Sequence, residues 1–123
     1  MAEDIYFFDT YAIIEILKAN PNYMPFVESY AVLTKLNLFE VYYIVLRDFG
    51  EEKAIETFNR YYPSAIDYGH AVIQGAAKFR LENAKRYLSM TDCIGYTIAK
   101  KIKIKFLTGD KEFKNRENIE FVK

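Results

Sequence analysis

The sequence predicts an α/β domain in which a parallel β-sheet lies between helical layers. Short apolar runs alternate with longer segments of helical periodicity along the chain. The first run, residues 5–8, is apolar throughout, which is typical of a central strand buried on both faces. Parallel strands need crossover connections, which are usually helices, so this alternation favours a parallel sheet.

The first half of the chain is predicted to hold two strands and most of the helices. Ile13, Ile14 and Leu17 have helical spacing, and Asn20-Pro21 ends that helix. Gly50 suits a left-handed cap between two later helices. The predicted elements are a strand over 5–8, a helix over 10–19, a short irregular helix over 22–30, a strand over 31–34, and helices over 37–49 and 51–61.

The second half continues the alternation. Asp67 is expected to cap a long helix, whose inward residues would be Ile73, Ala76, Ala77, Leu81, Ala84 and Leu88. Residues 102–106 alternate, which alone would suggest a half-exposed antiparallel strand, but the overall pattern favours a helix that ends there. The predicted elements are a weak strand over 64–66, helices over 67–88 and 91–102, a strand over 104–108 and an edge strand over 119–122.

Composition limits the classes of protein to consider. A chain of 123 residues, 51% apolar and 28% charged, is predicted to form one domain over 1–123. The formal net charge of zero lacks the signature of a tight non-specific nucleic-acid binder. The single Cys93 excludes an internal disulfide and any zinc site built on several thiolates.

The sequence also predicts a cytoplasmic location. No apolar run approaches the roughly 20 residues that a membrane-spanning helix requires. The start, Met1-Ala2-Glu3-Asp4, is acidic where a secretory signal is basic.

Four acidic residues stand at junctions between apolar runs and loops or helix starts: Asp9, Glu40, Asp92 and Asp110. In open parallel sheets, ligands bind outside the carboxyl ends of the strands. Carboxylates gathered there repel one another and favour a hard divalent cation such as Mg²⁺ or Mn²⁺. The pattern indicates a metal-dependent enzyme that acts on phosphates.

Three of these acids also have simple structural interpretations. Asp9 is placed to cap the helix that starts at Thr10. Asp92 completes a Ser-x-x-Asp capping pattern with Ser89. Asp110 follows Gly109 as an ordinary turn residue does.

Glu40 favours function more strongly, because it is the only charged residue between Lys35 and Arg47 in a helix with apolar residues on nearly every side. Burying an unpaired carboxylate costs several kcal/mol or forces it to protonate. No nucleophile competes with a metal mechanism: the lone His70 is predicted to be structural, and Cys93 is predicted to be a small core residue.

With these residues the chain resembles the PIN-domain family, and within it the single-domain VapC-type toxin ribonucleases. The resemblance covers nearly the whole length. It rests on Phe8-Asp9-Thr10, Leu33-Thr34, Phe39-Glu40-Val41, Ser89-x-x-Asp92, Ala99, Leu107-Thr108-Gly109-Asp110 and Phe113.

The resemblance implies a Rossmann-like sheet of about five strands in the order 3-2-1-4-5. It implies RNA phosphodiester hydrolysis at an acidic Mg²⁺ or Mn²⁺ pocket formed by the four acids, with Thr10 and Thr108 in support. It further implies a homodimer and a cognate antitoxin.

One departure is Tyr11, where many relatives have Asn. If that Asn orients the first acid, Tyr11 changes the polarity of the pocket. Two rival functions stay open: a PIN-like module that binds RNA or protein without cutting, and a phosphatase of the haloacid-dehalogenase kind. The phosphatase ranks last, because that family needs a second aspartate where Tyr11 stands.

Four cations lie on loops expected near the acids and are predicted phosphate contacts: Lys35, Lys111, Lys114 and Arg116. The chain also has 11 Tyr and 10 Phe. Most are expected in the core, and any exposed subset favours partner binding over base stacking.

Overall fold

The computed structural model describes residues 4–123. The acidic segment Met1–Glu3, on which the predicted location partly rests, lies outside the described residues. No helix within residues 4–123 combines the length and apolarity that crossing a bilayer requires.

The centre of the fold is a parallel sheet, as predicted. Its strands are β1 (Ile5–Phe8), β2 (Tyr30–Val32), β3 (Lys105–Thr108) and β4 (Ile119–Phe121), in the order β2-β1-β3-β4. All three neighbouring pairs are parallel.

The weak strand predicted over 64–66 is reduced to one parallel bridge between Leu33 and Ala65. Pro63 lies in a 3₁₀ turn, Tyr62–Ser64, immediately before it, and that turn leaves no room for a longer strand. With Ala65 counted as the third strand in chain order, the predicted order 3-2-1-4-5 is confirmed, although the sheet has four full strands.

Within residues 4–123, five α-helices surround the sheet: α1 (Thr10–Leu17), α2 (Lys35–Phe49), α3 (Glu51–Tyr61), α4 (His70–Glu82) and α5 (Met90–Ile102). Short 3₁₀ turns cover Pro21–Phe26, Tyr62–Ser64 and Lys111–Phe113. Most predicted boundaries agree within the usual two residues.

The sheet separates two apolar cores. Neighbouring residues of a strand point to opposite faces, so Phe7 and Phe8 enter different cores. Phe8 and Leu107 lie in the core that α1, α2 and α3 cover, while Phe7 and Phe106 lie in the core that α5 covers. This packing fixes the direction of both central strands and the edge at which they end.

The prediction for α4 was wrong in two respects. The helix begins at His70, after an N-cap at Gly69, and the exposed Asp67 does not cap it. It ends at Glu82, where the Asn83 side chain donates to the Phe79 carbonyl (2.8 Å), so residues 83–89 form a loop.

The inward face expected for this helix was also partly wrong. Ala76 and Leu88 are buried, but Ile73 is 50% exposed and Leu81 is 78% exposed. Within the described part of the chain α4 packs mainly against α5, so the apolar stripe on its other side remains uncovered.

Candidate active site

The four predicted acids all lie toward the carboxyl edge of the sheet. Asp9 directly follows β1, and Asp110 lies two residues beyond its parallel neighbour β3. Glu40 lies in the second turn of α2, the helix that follows β2, and Asp92 lies in the first turn of α5. We call these four residues the acidic edge.

Asp9 is the most buried of the four, with 2% of its surface exposed. Its Oδ1 accepts a hydrogen bond from the Ala12 N–H (2.7 Å), so it caps α1 as the simple interpretation predicts. Burial raises the pKa of Asp9 well above its ordinary value, and the charges of Asp92 and Asp110 raise it further. The Thr108 hydroxyl and the Ala12 N–H offset part of that increase.

Asp92 also caps a helix and also has a shifted pKa. Its N–H donates to Ser89 Oγ (3.0 Å), and its Oδ2 accepts from the Ser89 N–H (3.3 Å), which completes a capping box. Burial raises the pKa of Asp92 to about 6 despite these bonds, and the charges of Asp110 and Glu40 contribute to the increase. The carboxylate of Asp92 therefore takes part in the helix cap and also interacts electrostatically with the other acids.

Asp110 is held by the turn that follows β3. Its N–H donates to Thr108 Oγ1 (3.0 Å), and its Oδ1 accepts from the Glu112 N–H (2.9 Å). Gly109 lies between Thr108 and Asp110, at a position where any Cβ would overlap the Tyr11 ring and the Val122 carbonyl. Glycine is therefore required at this position, because the backbone that leads to Asp110 lies directly against Tyr11.

Glu40 is partly buried, for a different reason from the one that the sequence suggested. The helix α2 is not enclosed on all sides, since Phe39 is 73% exposed and Tyr43 is 56% exposed. Glu40 is held by one strong contact, a hydrogen bond of 2.6 Å that the Thr10 hydroxyl donates to its Oε1. Thr10 begins α1 directly after Asp9, so this bond links α1 to α2.

Sequence reasoning missed the buried amide of Asn37, which is 1% exposed. Asn37 forms a capping box with Thr34, and its Nδ2 donates to Thr10 Oγ1 (3.3 Å). The Thr-x-x-Asn spacing is the signal that would have revealed the cap, but nothing local indicates the bond to Thr10.

A second missed contact lies beside Asp110. Arg86 Nη1 lies 3.4 Å from Glu112 Oε1 and 3.5 Å from the Glu112 carbonyl. Arg86 was expected inside a long helix, so its approach to this loop was not foreseen.

The four predicted phosphate contacts differ in availability. Lys35 is exposed and lies 4.0 Å from Asp67, and Lys111 is exposed. Lys114 Nζ lies 5.7 Å from the centre of the Phe121 ring.

Arg116 is held against α4 instead. Its Nη2 donates to Asn83 Oδ1 (2.9 Å), and its guanidinium lies 5.1 Å from the centre of the Phe79 ring. These contacts give Arg116 a structural role in tying the loop before β4 to α4.

Neither alternative nucleophile is poised to react. His70 is the exposed first residue of α4, rather than a packed structural residue. Cys93 is 1% exposed, and burial raises the pKa of its thiol, which is typical of an inert core cysteine.

The donor set of the acidic edge fits a hard cation in its chemistry. Its side chains offer only oxygen atoms, and burial together with the charges of neighbouring acids raises the pKa values of Asp9 and Asp92, which a cation would oppose. Among residues 4–123, however, no three His, Cys, Asp or Glu side chains lie close enough together to hold a metal ion. The acids do not form a closed cage, so a bound ion would keep several waters, as Mg²⁺ usually does.

Two apolar surface cavities have none of the four acids in their linings. One, of about 570 Å³, is a groove between α2 and α3; the other, of about 420 Å³, lies between α4 and α5. The α2–α3 groove is lined by Lys35, Leu38, Phe39, Tyr42, Ile55, Phe58 and Tyr62. The α4–α5 cavity is lined by Ile73, Ala76, Ala77, Arg80, Leu81, Ala84, Met90, Cys93 and Ile94.

Two solved structures share this architecture. A toxin–antitoxin complex from Klebsiella pneumoniae has a chain that aligns with a TM-score of 0.73 at 15% identity, covering 94% of this chain and 95% of that one. The crystal structure of VapBC2 from Rickettsia felis, bound to a DNA fragment from their promoter, aligns with a TM-score of 0.74 at 18% identity, covering 97% and 99%. At these identities the likeness shows the fold alone.

Sequence comparison identifies the family. No curated protein matches the sequence significantly. The PIN domain family model matches residues 6–118, which include all four acids, the whole of β2 and β3, and all of β1 except Ile5. This protein therefore belongs to the PIN domain family.

Proposed function

We propose that this protein is an Mg²⁺- or Mn²⁺-dependent endoribonuclease that hydrolyses RNA phosphodiester bonds, and that it acts as the toxin of a toxin–antitoxin pair. The observation that carries the proposal is the burial of Asp9, which raises its pKa, beside two further acids whose charges raise that pKa further. A fold that only needed a helix cap at this position would be served as well by Asn, Ser or Thr, without the electrostatic cost.

Each acid has a distinct setting in this proposal. Asp9 and Asp110, at the ends of two adjacent strands, are the ligands held most directly by the sheet, while Asp92 and Glu40 complete the set from α5 and α2. These carboxylates would hold a divalent ion, which would supply a hydroxide nucleophile and offset the charge of the phosphate. The chain's own part is to orient the carboxylates through Thr10, Thr108 and the helix caps.

Substrate contacts are proposed for three exposed lysines near the same edge: Lys35, Lys111 and Lys114. Arg86 is a further candidate, because Glu112 holds it next to the Asp110 turn. Arg116 is the least suited of the originally predicted cations, since Asn83 and Phe79 already engage its guanidinium. We further propose that the protein acts in the cytoplasm.

A catalytically inactive module that binds RNA or protein is the alternative. It is favoured by one observation: within residues 4–123 no three acids converge closely enough to hold a metal ion. The two proposals differ in whether divalent ions bind the acidic edge and produce cleavage.

The deciding experiment is an RNA cleavage assay with purified protein in Mn²⁺, Mg²⁺ or EDTA. We expect cleavage with either ion and none in EDTA. Glu40→Gln keeps the size of Glu40 and one oxygen that can accept from Thr10, but it removes the charge and one acceptor oxygen, so cleavage should fall at least about 100-fold. Metal-independent binding of RNA without cleavage would support the inactive module.

The chemistry of the products tests the mechanism separately. Hydrolysis by a metal-activated water leaves a 5′-phosphate and a 3′-hydroxyl. A 2′,3′-cyclic phosphate would show attack by the RNA's own hydroxyl, which typically uses an acid–base pair such as two histidines. The chain has one histidine, the exposed His70. Cyclic products would therefore contradict the metal mechanism.

The uncovered apolar surfaces support the proposed partners. The α2–α3 groove is lined by four aromatic side chains, of which Phe39 and Tyr62 are exposed, and it suits an apolar peptide segment of an antitoxin. The α4–α5 surface, where Leu81 and Met90 are 78% and 71% exposed, suits a second copy of the chain.

A further inference from the structure

We propose that Asn37 is a positioning residue for Glu40, acting through the hydroxyl of Thr10. We call the hydrogen-bonded chain of these three side chains the Asn37–Thr10–Glu40 relay. The inference rests on the proposed function, in which the acidic edge binds a metal ion. The three side chains are connected in sequence: Asn37 Nδ2 donates to Thr10 Oγ1 (3.3 Å), and Thr10 Oγ1 donates to Glu40 Oε1 (2.6 Å).

The orientation of the Asn37 amide follows from its other partners. The Thr34 N–H lies 3.0 Å from Oδ1 of Asn37, and a backbone N–H can only donate. The Thr34 hydroxyl also donates to the same oxygen (2.9 Å). The amide oxygen is thereby fixed on the Thr34 side, so the NH₂ group faces Thr10. Because Asn37 is 1% exposed and Thr34 is fully buried, water does not compete for these contacts.

The amide in turn fixes the direction of the Thr10 proton. A threonine hydroxyl has one proton and accepts through its lone pairs. Since Asn37 donates to that oxygen, the Thr10 proton is free to point at Glu40. The resulting contact of 2.6 Å has the length of a charge-assisted O–H···O⁻ bond, which is stronger than a neutral one.

The relay explains how a partly exposed glutamate keeps one position. Glu40 has three side-chain torsions to order, and Phe39 and Tyr43 around it are exposed, so packing alone constrains it weakly. One carboxylate oxygen is engaged by Thr10, which leaves the other available for a cation or its water. Outer contacts of this kind typically change metal affinity or activity by about 10- to 100-fold when they are removed.

A double-mutant cycle tests the relay. Asn37→Asp keeps the oxygen that caps α2 but replaces the donor that faces Thr10, and Thr10→Val removes the hydroxyl at nearly constant volume. Each variant should weaken Mn²⁺ binding, measured by calorimetry, and lower kcat by about 10- to 100-fold, with little change in KM for RNA. Thr10→Ser, which keeps the hydroxyl, should recover most of what Thr10→Val loses.

The double variant, Asn37→Asp with Thr10→Val, shows whether Asn37 positions Glu40 or has only a structural or electrostatic role. If Asn37 acts through Thr10, then Asn37→Asp should have no further effect on Mn²⁺ affinity in the Thr10→Val background. Additive losses would overturn the relay, because they would show that the added charge or a changed cap acts independently. Wild-type affinity and kcat in Asn37→Asp would also overturn it, leaving Asn37 as a cap alone.

The wild-type protein distinguishes failure of the relay from failure of the proposed function. Mn²⁺ binding and cleavage by wild type, with neither single variant impaired, would refute the relay only. A wild-type protein that neither binds Mn²⁺ nor cleaves RNA would refute the nuclease proposal and the relay together. Thermal melting of each metal-free variant checks that the fold is retained.

Discussion

The acidic edge and the outer face of α4 depart from the usual distribution of side chains in opposite ways. At the acidic edge, a carboxylate that would normally be solvated is 2% exposed at Asp9. On α4, large apolar side chains that would normally be buried are exposed, with Leu81 at 78%. Burying a charge and exposing an apolar surface both reduce the stability of an isolated chain.

The difference between the two regions lies in how the chain compensates. The acidic edge is held by specific hydrogen bonds from helix N-termini and hydroxyls, so its geometry is set within the chain. The α4 face has no such partners among the described residues, since the rest of the chain does not cover Ile73 and Leu81. We infer that the acidic edge is organised for chemistry and that the outer face of α4 is organised for association. Four experiments test this contrast.

The largest effect should follow from Asp9→Asn. Asn is also a good helix cap, so α1 should form normally, while the buried charge is removed. We expect cleavage to fall at least about 100-fold. At neutral pH the metal-free variant should be more stable than wild type, because it no longer buries a carboxylate beside Asp92 and Asp110. Activity that survives this change, or a lower melting temperature, would contradict the assignment.

The raised pKa values of the buried acids should also make the stability of the protein depend on pH. For an acid whose pKa is raised by folding, the folded state binds more protons than the unfolded one, so stability falls as pH rises between the two values. For Asp92 this window runs from 3.8 to about 6 and is worth at most about 3 kcal/mol.

Denaturant unfolding of the metal-free protein at several pH values measures this loss. Asp92→Asn should reduce the slope between pH 4 and 6, while Asp9, whose pKa is also raised, should continue to reduce stability over this range and above it. Mn²⁺ should flatten the profile, because a bound cation favours the ionised acids. An unchanged slope in Asp92→Asn would show that its carboxylate titrates normally.

A glycine substitution tests how closely the acidic edge is packed. A Cβ at Gly109 would overlap the Tyr11 ring and the Val122 carbonyl, so Gly109→Ala should destabilise the protein by about 1–3 kcal/mol. Gly69→Ala is the control for adding a methyl group without a clash, because a Cβ there meets no atom within 4 Å; its expected cost is only the loss of a favourable N-cap residue of α4. Equal stability of the two variants in urea would mean that Tyr11 moves aside freely.

The smallest effect on stability, with a clear effect on assembly, is expected on the α4 face. Leu81→Glu should change the free energy of unfolding of the monomer by no more than about 0.5 kcal/mol, because Leu81 packs little within the chain. Light scattering should show a dimer for wild type and a monomer for Leu81→Glu.

Lys101→Glu provides the control for assembly, since this exposed residue of α5 lines neither apolar cavity. It should leave the dimer intact. A monomeric wild type, or a Leu81→Glu dimer, would remove the argument that the α4 face is an association surface.

Local signals in the sequence determined much of this protein. The apolar run at residues 5–8 predicted the central strand, and the Ser-x-x-Asp spacing predicted the capping box of α5. These predictions succeed because strand burial and helix capping depend on residues a few positions apart. The PIN resemblance, which rests on the order of such local signals, was confirmed by the family match.

Only the tertiary structure decided which groups meet across the chain. The bond from Thr10 to Glu40 spans 30 positions, the bond from Arg116 to Asn83 spans 33, and neither has a local pattern. The helical periodicity of α4 likewise showed an apolar stripe without showing whether anything covers it. Periodicity records which side of a helix is apolar, but burial depends on neighbouring elements, and those are placed by the packing of the whole chain.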